Sequence, residues 1–454
     1  MGRQPFGIAS ASAWLRREGW DVTAVDVAKQ PLEDDVLRSA GLIGFHLPMH
    51  TATRLAGPVI VRSRRVNPTA RVCAFGLYAP LNAAWLKTLG VDHVLGGEFE
   101  EELAALARSA SATGSSVDRP GTSVIPGRRA GSLPEPERLP KIHFLVPDRS
   151  GLPPLSMYAT LQMPGGARRQ VGYTEASRGC RHLCRHCPIV PIYQGQFRVV
   201  QAEVVLADIA AQVAAGAGHI TFGDPDFFNG PTHAMRLVES LHASHPSVSY
   251  DVTIKVEHLL RHRDLLPRLA ASGCAFVVSA VESLDDHVLA LLDKGHTRAD
   301  FLEAVSLCER AGLTLTPTFV AFHPWLTLDA YCDLVDTIGT LDLVDHVAPI
   351  QLAIRLLVPQ GSLLLAREEM RPHLGAFDPA TLTYRWSHAD PRVDDLHRDV
   401  AALVGTRVTA DRRLVFDRIR ALAHERAGHA GVAEQPRPAH DRATVPYLNE
   451  PWYC

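Results

Sequence analysis

The stretch Glu175–Pro191 reads EASRGCRHLCRHCPIVP and places Cys180, Cys184 and Cys187 directly behind the run Gln170–Ala176. That run has the length of a buried strand bounded by a polar loop, and a regular series begins with it. Further strands are expected at His219–Gly223, Val248–Lys255, Ala275–Ala280, Thr314–Val320 and Val347–Leu356. Amphipathic helical patterns lie between them, at Ala202–Ala215, Thr232–Ala243, Leu259–Ala271, Asp285–Leu292, Asp300–Ala311 and Leu328–Leu341. Strands alternating with helices in this way predict an α/β fold with an open, partial (β/α)6 barrel; eight units would close a full one. In such folds the chemistry sits where strands end and loops begin, and the three cysteines lie at such a place.

Three is an informative count. A [4Fe–4S] cube has four irons, and a cluster that only transfers electrons normally takes four thiolates. Three thiolates leave one iron open to a substrate, as an open zinc position does. The Cys-x3-Cys-x2-Cys spacing fits one loop around one cube. The same cysteines with His182 or His186 would also make a Cys3His zinc site, which describes a non-enzymatic metal-binding protein. The long β/α series behind the loop is more than that site needs. An electron-transfer protein would need a fourth ligand, Cys274 or Cys454.

Upstream, residues 1–110 also alternate strands with helices. Strands are expected at Asp21–Val27, Gly41–His46, Arg71–Leu77 and Val91–Leu95, with helices at Ile8–Glu18, Leu32–Ala40, Thr51–Val66, Leu81–Leu89 and Phe99–Arg108. This pattern predicts a doubly wound, Rossmann-like parallel sheet. Such a domain normally opens with its central strand, whereas this one opens with a helix, so a late start codon and a missing first strand are expected. Residues 111–165 are rich in Ser, Gly, Pro and Arg and read as a linker. The barrel is assigned to 166–360. Residues 361–454 form a C-terminal extension with helical patterns at Pro391–Val404 and Ala410–Gly428 and a polar, mobile tail.

The chain has 454 residues and a net charge of −3, which gives no electrostatic reason to expect a nucleic-acid or anionic-membrane partner. No secretory signal or membrane-spanning apolar run is apparent. Cys73, Cys274, Cys308, Cys332 and Cys454 are scattered, which argues against a disulfide framework and for a reducing, cytoplasmic setting.

The CxxxCxxC motif behind a first barrel strand resembles the radical S-adenosylmethionine (radical SAM) superfamily. The resemblance implies an enzyme whose cluster, held by Cys180, Cys184 and Cys187, binds the methionine end of SAM through its open iron. One-electron cleavage then gives a 5′-deoxyadenosyl radical, which attacks a small-molecule or peptide substrate. The outcome is methylation, rearrangement or oxidation, and the electron comes from a reductase or a flavodoxin- or ferredoxin-type donor. The family usually has an aromatic residue before the last cysteine; here it is His186. The turn TFGDPDFFNG, with Gly223, Asp224 and Asp226, stands where the family has a Gly-Gly-Glu-like turn for the SAM amino group. Alternation along the third strand puts Lys255 and Glu257 on one face, suited to the SAM carboxylate and ribose, or to a salt-bridged strand end. Glu282 follows an apolar strand, where packing explains it poorly, and the Glu282–Ser283 pair resembles a SAM-site turn. Arg355 in an apolar strand, on the face of Gln351, needs an anion: substrate, SAM or a structural carboxylate.

The Gly-Asp-Pro-Asp turn and the domain order resemble the subgroup with an N-terminal cobalamin-binding-like domain. Cobalamin is thereby a candidate second cofactor, with Gly96–Gly97 as a turn open to a corrin. No Asp-x-His-x-x-Gly signature is present, so His46 and His50 are not clear cobalt ligands. The ending PYLNEPWYC resembles a radical SAM group whose tails read Cys-Sec-Ala-Glu-Pro or Cys-Cys-Ala-Glu-Pro. A continuation past Cys454 with selenocysteine is expected on that resemblance.

Overall fold

The computed structural model describes residues 2–111, 141–405, 411–429 and 444–449. Its first part carries α1 (Phe6–Arg17), α2 (Asp34–Ser39), β1 (Leu42–His46), α3 (His50–Val66), β2 (Arg71–Phe75), α4 (Ala83–Thr88), β3 (His93–Val94) and α5 (Glu100–Ser111). The three strands form a parallel sheet in the order β1-β2-β3. Ile60, Val72, Ala74 and Leu86 fill the space between this sheet and its helices. One expected strand is absent: Asp21–Val27 does not join the sheet. Side chains take its carbonyls instead, with Arg16 donating to Val22 and Gln30 to Ala24. Those two acceptors are thereby taken from any strand ladder.

The second part begins with an antiparallel edge, β4 (Thr160–Gln162), beside β5 (Arg168–Thr174). A short ribbon follows, β6 (Ser177–Gly179) against β7 (Phe197–Val199), with α6 (Val190–Tyr193) between its arms. The repeating units then run α7 (Ala202–Ala214), β8 (His219–Phe222), α8 (Pro231–Ser244), β9 (Ser249–Thr253), α9 (Val256–Arg261), α10 (Leu266–Ala271), β10 (Cys274–Glu282), α11 (Asp286–Leu292), α12 (Arg298–Arg310), β11 (Leu315–Phe319) and α13 (Leu328–Thr340). The parallel order β5-β8-β9-β10-β11 is that of a partial barrel. Its core is lined by fully buried Phe222, Tyr250, Phe301 and Phe319.

The sixth strand is corrected. Val347–Leu356 is not a strand: Pro349–Ala353 coils into a 3-10 turn, and only a parallel bridge between Phe322 and Arg355 remains. Pro349 has no N–H to give a ladder, which is the local cause.

The C-terminal extension holds a hairpin the sequence patterns did not suggest, β12 (Leu374–Asp378) with β13 (Thr383–Trp386), then α14 (Pro391–Gly405) and α15 (Arg412–Ala427). The tail is not wholly loose, since β14 (Tyr447–Asn449) pairs antiparallel with β4 and extends the barrel sheet. The closing residues 450–454, and with them the expected selenocysteine continuation, lie outside the described residues, as do 112–140 of the linker expected over 111–165. The rest of that stretch is not a linker, since Ile142, Phe144 and Leu155 are buried in the barrel core and β4 joins its sheet. Among the described residues no helix is long and apolar enough to cross a membrane.

Candidate active site

The cysteine segment leaves the sheet at Thr174 and is closed at its base by the β6–β7 ribbon. Gly179 makes the exit with φ +78°, and a Cβ there would lie 2.4 Å from the Gln196 carbonyl oxygen. No residue but glycine fits both demands. Asn229 accepts from the Arg181 N–H at 3.2 Å, and Arg185 donates to the carbonyls of Ala290 and Leu291. The segment is thus pinned on both flanks. Cys180 and Cys184 are buried and Cys187 is half-buried. Burial pushes the Cys187 thiol up to about 12, and the neighbouring Cys184 and Cys180 add to that. Thiols so placed give up their protons only to a cation, and thiolates select zinc or an iron–sulfur cluster. The residues present therefore fit the cluster. Lys255 Nζ stands 3.8 Å from Cys184 Sγ.

The polar residues around the loop form two groups. In the first, Asp226 Oδ2 lies 2.6 Å from His258 Nδ1 and 3.4 Å from His182 Nε2. Burial alone would raise the Asp226 pKa; the two histidines outweigh it and hold the carboxyl at about 2. Lys255 and Glu257 are near one another, with Nζ and Oε2 3.9 Å apart, but alternation along a strand is not the reason. The strand ends at Thr253, Lys255 is the N-cap of α9, and Glu257 sits in that helix. In the second group Glu282 accepts from Lys294 Nζ at 3.2 Å and approaches His186 Nε2 at 3.1 Å. Burial opposes its charge, yet Lys294 and His186 hold its pKa at about 2. Its backbone has φ +71°, a strained setting for a residue with a side chain. Ser283 is buried next to it and accepts from the Asp285 N–H.

Two expected residues hold the frame. Asp224 accepts from the Ala176 N–H at 2.9 Å and the Ser177 hydroxyl at 2.6 Å, and burial lifts its pKa to about 7. Gly223 lies under Tyr173: a Cβ there would be 1.8 Å from the phenol oxygen. Arg355 is in neither group. It donates to Asp394 at 2.7 Å and to the Trp386 carbonyl, and its guanidinium stacks 3.5 Å from the Trp386 ring centre. Its anion is a carboxylate of the C-terminal extension.

Sequence reasoning missed Lys294, His258 and above all Arg178. Arg178 is buried two residues before Cys180 and meets Glu100 at 2.6 Å, Glu175 at 2.8 Å and Glu98 at 3.5 Å. Its guanidinium also lies near the rings of Phe6, Phe99 and Phe144. The signal was present as an arginine inside SRGC with Glu175 three residues before it, but Glu98 and Glu100 are distant in sequence. Beside Glu282 opens a cavity of about 210 Å³ lined by Ser283, Asp285, Arg298, His323 and Asp333. His323 is buried there with Nδ1 unpartnered, and burial lowers its pKa to about 4.

The strand-end loops of the first sheet face the cysteine segment. Ile192 of α6 packs on the cluster of Leu47, Tyr78 and Leu81, and Gly97 (φ +48°) has only Ile192 near the place of a Cβ. Of the two histidines here, His50 bonds the Thr381 carbonyl, and His46 is buried against Phe75 and Phe99 with its Nδ1 lacking a hydrogen-bond partner.

Comparison with known proteins defines the class of this part of the chain. Residues 174–338 match the radical SAM superfamily, with the three cysteines near the start of the matched stretch. Among individual proteins, the tRNA-2-methylthio-N(6)-dimethylallyladenosine synthase of Moorella thermoacetica is 25% identical over 40% of this chain. The chain spans 41% of that curated relative's length. The methyltransferase TsrM from Kitasatospora setae, solved with cobalamin and a [4Fe-4S] cluster, superposes with a TM-score of 0.60 at 19% identity, covering 75% of this chain and 71% of its own. The radical enzyme OxsB, solved with aqua-cobalamin and S-adenosylmethionine, gives a TM-score of 0.69 at 14% identity, covering 90% of this chain and 65% of its own. These likenesses establish a shared fold, an α/β domain ahead of a curled partial barrel.

Proposed function

We propose that the protein is a radical SAM enzyme. The observation that carries this is the three-cysteine loop at the end of the first parallel strand of a radical SAM domain. Cys180, Cys184 and Cys187 hold a [4Fe–4S] cluster. The cluster, when bound, supplies one-electron cleavage of SAM to an adenosyl radical. Around it Lys255 and Glu257 on one side, and Glu282 and Ser283 on the other, receive the charged and hydroxylated parts of SAM. Gly223, Asp224 and Asp226 hold those walls in place. The cavity beside Glu282 admits a small polar substrate, with His323 as a free hydrogen-bonding group. Arg355 fixes the C-terminal extension against the barrel.

Cobalamin is part of the proposal, supported by the fold shared with two proteins solved with it. The loops Leu47–His50, Gly76–Leu81 and Leu95–Phe99 would hold it, facing the cysteine segment. Since His50 is engaged by the Thr381 carbonyl, it would not ligate the cobalt. The remaining partners are a low-potential electron donor and a substrate whose modification is methylation, rearrangement or oxidation, in a cytoplasmic setting. A selenocysteine continuation is tested by reading the DNA beyond codon 454; a stop other than UGA removes it.

The decisive experiment is electron paramagnetic resonance on anaerobically reconstituted, reduced protein. A [4Fe–4S]+ signal that changes on adding SAM is expected. A protein holding zinc at the loop and showing no cluster signal would overturn the enzyme reading. Corrinoid absorbance in protein produced with cobalamin present tests the second cofactor.

A further inference from the structure

Helix α13 carries Asp329, Cys332 and Asp336 at spacings of three and four, which places them on one face. Helix α15 packs on that face and ends at Gly428, whose left-handed backbone (φ +77°) reverses the chain. The His429 N–H bonds the His424 carbonyl, so His429 is folded back over His424. The two Nδ1 atoms then stand 3.1 Å apart. Each ring's other nitrogen faces a carboxylate: His424 Nε2 lies 3.1 Å from Asp336, and His429 Nε2 lies 3.0 Å from Asp329.

These carboxylates fix the tautomers. A nitrogen against a carboxylate oxygen carries the proton, so each Nε2 is the donor and each Nδ1 presents a lone pair. Two such lone pairs 3.1 Å apart repel unless a proton or a metal cation is shared between them. The Cys332 sulfur closes the group, with all three ligand atoms within 4.8 Å of one another. A tetrahedral zinc with Zn–N bonds of about 2.0–2.1 Å sets its nitrogens roughly 3.3 Å apart. Imidazoles held from behind by carboxylates are the usual outer support of such a site.

We propose that the protein binds a second metal, a zinc-type divalent cation, on Cys332, His424 and His429. Binding releases the Cys332 thiol proton and forms one metal–sulfur and two metal–nitrogen bonds; no electron moves. The fourth position opens to solvent on the side of His429, which is 42% exposed, and takes water. The ion clasps α15 to α13, the last helix of the barrel series. Its ligands are distinct from Cys180, Cys184 and Cys187, so iron and zinc are separable.

The test uses full-length, cluster-reconstituted protein supplied with zinc and then gel-filtered. Iron and zinc are counted, and zinc-edge X-ray absorption is recorded. About one zinc per chain is expected, with one sulfur near 2.3 Å and nitrogens near 2.0 Å. His429→Ala at the surface and Cys332→Ser should each lower zinc affinity at least about tenfold with iron unchanged. Asp329→Asn, which removes only the support behind His429, should weaken it by about tenfold. Wild-type protein without zinc above the buffer level would overturn the site, as would zinc that persists in both ligand variants. Zinc lost only when Cys180, Cys184 and Cys187 are replaced would assign it to the other loop.

Discussion

Arg178 Nη1 lies 2.6 Å from Glu100 Oε1, and this contact ties the base of the cysteine loop to the first helix after β3. Glu98 and Glu175 share the same guanidinium, and burial pushes both of their pKa values up. One cation thus serves a buried cluster of three carboxyl groups between the two sheets. Replacing it should leave several acids without compensation. Arg178→Leu is expected to cost about 3–5 kcal/mol, the usual result of removing one partner of a buried ion pair. Thermal unfolding of the full chain measures this. An unchanged midpoint would mean the acids protonate without penalty.

Each of Cys180→Ala, Cys184→Ala and Cys187→Ala should remove the cluster, taking iron from about four per chain to near zero. Cys274 and Cys308 are buried in the barrel core, away from the cysteine segment. Their alanine variants should keep full iron after reconstitution. Iron counting by colorimetry separates the two outcomes.

Glu282→Gln keeps the shape of the left-handed turn but removes the charge that Lys294 and His186 hold. SAM should then be needed at about tenfold higher concentration, a loss of about 1.4 kcal/mol, with cluster content intact. A titration followed through the reduced-cluster signal reads this directly. Equal SAM affinity would take Glu282 out of the cosubstrate site.

Acid should loosen the C-terminal extension. Burial works against the Asp345 carboxylate, but Arg413, at 2.5 Å, and Thr444 outweigh it and hold its pKa below the ordinary value. Burial and Arg355 oppose one another in the same way at Asp394, again with the pKa lowered. A folded-state pKa below the unfolded one stabilises above the unfolded value, about 4, and the gain is lost as pH falls through the folded value. Hydrogen-exchange protection in residues 411–429, relative to the intrinsic rate at each pH, should therefore fall below about pH 4. Asp345→Asn should show faster exchange already at neutral pH and a flatter acid response.

The sequence by itself determined the cysteine loop, the parallel order of the strands behind it and the α/β units in front. Those features depend on periodicity and on spacing within one segment, and both are local. Tertiary structure decided what local patterns cannot carry. Alternation placed Lys255 and Glu257 on a strand face, yet the chain had already turned into α9, and they meet across the helix N-terminus. The expected sixth strand shrank to the Phe322–Arg355 bridge, and Arg355 found its carboxylate in α14. Tyr447–Asn449 pairs with Thr160–Gln162 across most of the chain, and Arg178 gathers three acids from two segments. Cys332, His424 and His429 are unremarkable letters until α15 packs on α13 and Gly428 turns the chain back. A side chain's partner is set by which surfaces are buried together, and that follows from the packing of the whole chain.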